Sequence, residues 1–141
     1  MKPIQYRTIA ILIAAFFALN AGAADIKIIA NLSVGASSVS TDELKAVFLA
    51  TKSSLSDGSH VEPILEKDGP THEAFLKEYV GKTDAAFATY YRSLVFTGKA
   101  SMPRTTASDA DMVAYVAKTK GAIGYVSADA TTDGVKTLDV K

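Results

Sequence analysis

The sequence predicts an α/β protein with a mixed sheet flanked by helices. Three observations lead there. Short β-branched runs alternate with longer segments of helical apolar spacing, the order that builds a sheet covered by helices. Capping serines and glycines punctuate nearly every junction. The 141 residues include no cysteine, so the domain relies on its apolar core and not on disulfides.

The first strand spans 25–31, with Ile26, Ile28, Ile29 and Ala30 entering a core. Residues 32–39 are small and polar and read as a loop. Ser40-Thr41-Asp42-Glu43 has the form of a capping box, and Leu44, Val47 and Phe48 follow at helical spacing. Asp57-Gly58 marks a turn before a strand over 60–65. Gly69-Pro70 breaks that strand. Pro70 suits a helix start because its missing N–H is not needed there. Phe75, Leu76, Tyr79 and Val80 then recur at helical spacing, and Gly81 is a natural stop. Asp84 is the expected cap of a third helix with Phe87, Tyr90, Tyr91 and Leu94 as its apolar stripe. Residues 96–103 read as a loop. Ser108-Asp109-Ala110-Asp111 starts a fourth helix, with Met112, Tyr115 and Val116 inward and Gly121 at its end. Strands at 122–127 and 135–140 close the chain, joined through the Asp133-Gly134 turn.

The segment before the first strand reads differently. Lys2 and Arg7 precede an apolar run from Ile9 to Leu19, and Ala21-Gly22-Ala23 suits cleavage. This is the pattern of a secretory signal peptide over 1–23, with cleavage after Ala23 or Ala24. The run is short for a membrane span. The expected product is one exported domain over 25–141, located in the periplasm. Without Lys2 and Arg7, the 15 basic residues become 13 against 15 acidic ones, a net charge of about −2. No basic stripe suggests a nucleic-acid partner.

Catalytic and cofactor motifs are missing. The sequence has no Gly-x-Ser-x-Gly, no phosphate loop, no His-Glu-x-x-His and no Gly-x-Gly-x-x-Gly after a strand. His60 and His72 are too few for a metal site. Neither an enzyme nor a cofactor is expected. The candidate binding residues cluster at Lys67, Asp68, Gly69, Thr71 and His72, where a strand ends and a helix begins. Free N–H groups and the helix dipole favour an anion at such a point, and Lys67 and His72 flank it. An ordinary strand-to-helix connection would use the same residues. Thr71 serves as N-cap, as ligand donor, or as both. Ser37 and Ser38 offer loop hydroxyls, and Arg104 offers a bidentate oxyanion contact or a surface charge.

Several segments together resemble the phosphate-binding proteins of ABC transporters. They are Thr41-Asp42-Glu43-Leu44-Lys45-Ala46-Val47-Phe48-Leu49, Asp57-Gly58 before Val61-Glu62-Pro63-Ile64, Glu73-Ala74-Phe75-Leu76, residues 90–98, and above all Gly121-Ala122-Ile123-Gly124-Tyr125-Val126. The resemblance covers nearly the whole exported chain. It implies one lobe of the type II periplasmic binding protein fold. It also implies non-catalytic binding of phosphate or a related oxyanion, linked to ABC-type transport or to a sensor complex. Those proteins close two lobes around the ligand, whereas this chain matches one, so a homodimer would supply the second wall. Gly69-Pro70-Thr71 also carries fewer donors than their anion loop. The alternative is an interaction or scaffold module that has given up its ligand.

Overall fold

The computed structural model describes residues 26–141. The segment read as a signal peptide lies outside them. In chain order the elements are β1 (Ile26–Ala30), β2 (Ser38–Val39), α1 (Thr41–Phe48), β3 (Glu62–Glu66), α2 (Pro70–Phe75) continued by a π-helical turn (Leu76–Val80), α3 (Asp84–Phe96), β4 (Arg104–Thr106), α4 (Asp109–Lys118), β5 (Ala122–Ser127) and β6 (Lys136–Val140). Every predicted helix and strand is present. Two short strands were not predicted: β2 falls in the segment read as a loop, and β4 lies between the loop at 96–103 and the cap of α4. They are the outermost strands of a six-stranded sheet ordered β2-β6-β1-β5-β3-β4.

The sheet is mixed. β1 runs antiparallel to both β5 and β6, while β2–β6, β3–β5 and β3–β4 are parallel pairs. Five strands therefore share one direction. Their carboxyl ends meet at one edge with the starts of α1, α2 and α4, the edge where open α/β sheets place ligands.

Alternation along the strands divides the core between two faces. Ile28, Leu65, Ile123 and Tyr125 face α1, α2 and α3, where Phe48, Phe75, Leu76, Phe87 and Tyr91 are buried. Ile29, Ile64, Ala122 and Val126 face α4, which contributes Met112 and Val116. Burial on both faces is why β1 and β5 read as continuous apolar runs. Gly124 belongs to the α4 side. A Cβ there would lie 2.5 Å from Met112 Sδ, so the absent side chain lets α4 approach the sheet.

The caps of α1 and α4 follow the sequence, and that of α3 shifts by one residue. Ser40 and Ser108 accept the N–H groups of Glu43 and Asp111. Thr83 caps α3 in place of Asp84, which becomes the first helical residue. Glu43 also reaches sideways to the backbone and hydroxyl of Ser56, tying the 51–59 loop to α1. Among the described residues, no helix is long and apolar enough to cross a membrane.

Candidate functional site

The loop after β3 is pinned at its base and open at its tip. Lys67 N–H donates to Thr106 O at 2.8 Å, which joins the loop to the end of β4. Lys67 and Asp68 are exposed. Gly69 has φ 100°, a left-handed value that a side chain would strain, and it holds the N-cap position of α2 with Pro70 next. Thr71 is therefore not the cap. Among the described residues, α2 is the one α-helix whose first turn receives no side-chain cap. Its free N–H groups are left to solvent or a ligand.

The structure brings together four of the eight predicted site residues: Lys67, Asp68, Gly69 and Thr71. His72 lies directly beneath them and points inward, 2 % exposed. Both of its ring nitrogens are used within the protein, Nδ1 by the Tyr125 hydroxyl and Nε2 by Asp84 Oδ1 at 3.0 Å. It does not flank the loop as a donor. Its position follows from spacing, because His72, Phe75 and Leu76 share one helix face. Ser37 and Ser38 sit at β2, four strand spacings from β3, or about 19 Å across the sheet. Arg104 begins β4 at the end away from the loop and stacks over Tyr115, 5.2 Å from the ring centre.

Two carboxyls were not singled out by sequence reasoning. Glu66, the last residue of β3, is 5 % exposed, and its Oε1 has no partner. Thr106, at the paired position on β4, also has a buried hydroxyl oxygen without a partner. Asp109, at the start of α4, accepts from the backbone and hydroxyl of Ser127. Burial pushes the Glu66 carboxyl up to about 8, helped by its hydrogen bond to Asp109 and by the charge there. Burial opposes the charge on Asp109. Hydrogen bonds from Glu66 and Ser127, with Lys27 nearby, outweigh it and hold Asp109 below its ordinary value. The pair thus shares one proton near neutral pH, with Glu66 the acid and Asp109 the carboxylate. A carboxylate at a strand end reads as exposed from sequence; this one is covered because α4 starts above it.

Two clefts border this edge. One of about 660 Å³ lies between α2 and the start of α3, lined by Glu73, Lys77, Lys82, Thr83 and Asp84. The other, about 320 Å³, lies beside the end of β5 and is lined by Asp109, Ser127, Asp129 and Ala130. Among the described residues, no group of three His, Asp or Glu side chains is placed to hold a metal ion.

The fold is similar to that of solved substrate-binding proteins of phosphate ABC transporters. A Clostridium perfringens structure described as a phosphate ABC transporter substrate-binding protein with bound phosphate matches with a TM-score of 0.63 and 16% identity, covering 82% of this chain. PstS from Borrelia burgdorferi matches at 0.60 and 10% identity over 83% of this chain. An ABC-type phosphate transport receptor from Vibrio cholerae matches at 0.55 and 12% over 82%. The chain spans 44%, 47% and 46% of those three proteins, under half of each. No family model and no curated sequence matches it.

Proposed function

We propose that this chain is an exported, non-catalytic binding domain for phosphate or a similar oxyanion, serving an ABC-type transporter or a sensor. The observation that carries the reading is the uncapped start of α2, at the carboxyl ends of the parallel strands of a fold similar to that of a phosphate-binding protein. Thr71 and the first-turn N–H groups would donate to the anion, Gly69 lets the chain come close, and Lys67 adds a positive charge. Asp68 would orient Lys67. The proton kept on Glu66 removes one negative charge from beneath the site.

A thermal-shift panel of phosphate, arsenate and sulfate on the exported chain tests this reading, repeated with Lys67→Ala and Thr71→Ala. Stabilisation by an oxyanion that both variants weaken supports it. No shift at millimolar concentration removes it.

One set of observations favours the second reading, an interaction module. Pro70 supplies no N–H, and Asp68, Asp109 and Asp129 make the edge acidic. Retention of a periplasmic partner that is unchanged by phosphate would select it. A strictly monomeric chain with tight phosphate binding and no partner would exclude it.

A further inference from the structure

The outer face of α3 does not have the make-up of a solvated helix. The inward stripe is Phe87, Tyr90, Tyr91 and Leu94. A surface helix ordinarily sets charged residues on the opposite side. Here that side is Ala85, Thr89, Arg92, Ser93, Val95 and Phe96, all exposed. Arg92 is the one charged residue from 85 to 98. Phe96 is 92 % exposed. Met102 is exposed beside it, across a cleft of about 520 Å³ that Arg92, Ser93 and Val95 also line.

Ala85, Thr89, Arg92 and Phe96 recur at intervals of four, three and four residues. That is the spacing of a seam along which two helices pack side by side, inclined by about 20°. The two ends of the seam differ in shape. At the Ala85 end lies the cleft of about 660 Å³ between α2 and α3. At the other end the phenyl ring of Phe96 projects into solvent. The step from Ala85 to Phe96 makes three turns and about 20° more, so knob and cleft stand on one side of α3, about 16 Å apart.

A second copy set antiparallel across a two-fold axis fits both ends at once. Phe96 of each copy then meets the partner's Ala85 and enters the cleft beside it. Arg92 meets the partner's Thr89, and its guanidinium extends to water. Asp84, at the start of one α3, lies near Lys99, just past the end of the other, and the charges are opposite. The small side chains of Ala85, Thr89 and Ser93 let the two axes come close. Parallel pairing reverses each of these gains. It sets Phe96 on Phe96 and Arg92 on Arg92, and it leaves both clefts empty. A bilayer surface requires no such fit, and Arg92 and Lys99 alone give this face little attraction to anionic lipid.

We propose that the outer face of α3 is a self-association surface, on which two copies of this chain pair antiparallel with each Phe96 seated in the other's cleft. The pairing is independent of the oxyanion reading, because Lys67, Gly69 and Thr71 take no part in it.

Sedimentation of the chain across a concentration series reads the association. A reversible monomer–dimer equilibrium is expected. Phe96→Asp and Ala85→Arg should each weaken it at least about tenfold, the effect of losing a central aromatic anchor or blocking its seat. Both residues are exposed, so the circular dichroism spectrum should stay unchanged. The chain has no cysteine, so a Thr97→Cys variant takes a single spin label. Mixed with ¹⁵N-labelled wild type, it should broaden the Lys82, Thr83 and Ala85 amides of the other copy and spare those of α4. A chain that stays monomeric at millimolar concentration overturns the proposal. So does a dimer that neither substitution weakens, or broadening that falls at the end of α3, as parallel pairing requires. A monomer that co-sediments with phosphatidylglycerol vesicles, and loses this in Phe96→Asp, also overturns it and gives the face to lipid.

Discussion

Replacing Glu66 by Gln tests the acid pair beneath the loop. In the folded chain the Glu66 carboxyl titrates at about 8, against 4.5 for an unburied glutamate. The folded state therefore holds this proton more tightly than the unfolded state. Its contribution is complete below about pH 4.5 and is lost as pH rises through about 8. At about 1.4 kcal/mol per pH unit, that interval sets a ceiling of about 5 kcal/mol. Relaxation and partial hydration of the site reduce the expected loss to about 2 kcal/mol. Gln cannot ionise, and its NH₂ can donate to Asp109 as the acid does. Urea denaturation should give the two proteins equal stability within about 1 kcal/mol at pH 4. By pH 9 Glu66→Gln should be the more stable by about 2 kcal/mol. A difference that does not change with pH, or a variant less stable at pH 9, would refute the shared proton.

Three further substitutions probe the frame around the loop. Ser40→Ala removes the cap of α1 and should lower the urea-derived stability by about 1 kcal/mol. Gly121→Ala forces a side chain onto φ 75° with its Cβ 2.9 Å from His60 O; a loss of about 1–3 kcal/mol is expected, read as a lower urea midpoint. Tyr91→Phe deletes the 2.6 Å bond from the Tyr91 hydroxyl to Phe48 O and should cost about 1 kcal/mol by calorimetry, with an unchanged circular dichroism spectrum.

The central elements were legible because their signals are periodic. β1, β3, β5 and β6 carry apolar runs, and the helices carry inward stripes between recognisable caps. β2 and β4 were not legible. Ser38, Arg104, Thr105 and Thr106 show no apolar alternation, and the two short strands exist through backbone pairing to the sheet edge. The π turn at 76–80 was also hidden, since Leu76, Tyr79 and Val80 fit ordinary helical spacing. Half of the candidate site came from one contiguous stretch, where a loop can be read locally. Ser37, Ser38 and Arg104 depended on long-range placement, which strand order decides. Glu66 and Asp109 meet only because α4 lands on the end of β3. His72 could have been placed inward from its spacing to Phe75 and Leu76; its polarity argued for the surface instead.

Phosphate binding by this chain is the most direct test of the central claim. A ligand held only by the native state at a hundred times its dissociation constant stabilises by about 2.7 kcal/mol, enough to raise the melting temperature by several degrees. Calorimetric titration with phosphate, followed by melting at saturation, should give saturable binding and that rise, both weakened in Lys67→Ala and Thr71→Ala. A flat titration and an unmoved melting temperature at millimolar phosphate, arsenate and sulfate would contradict the oxyanion site and leave the lobe as an interaction module.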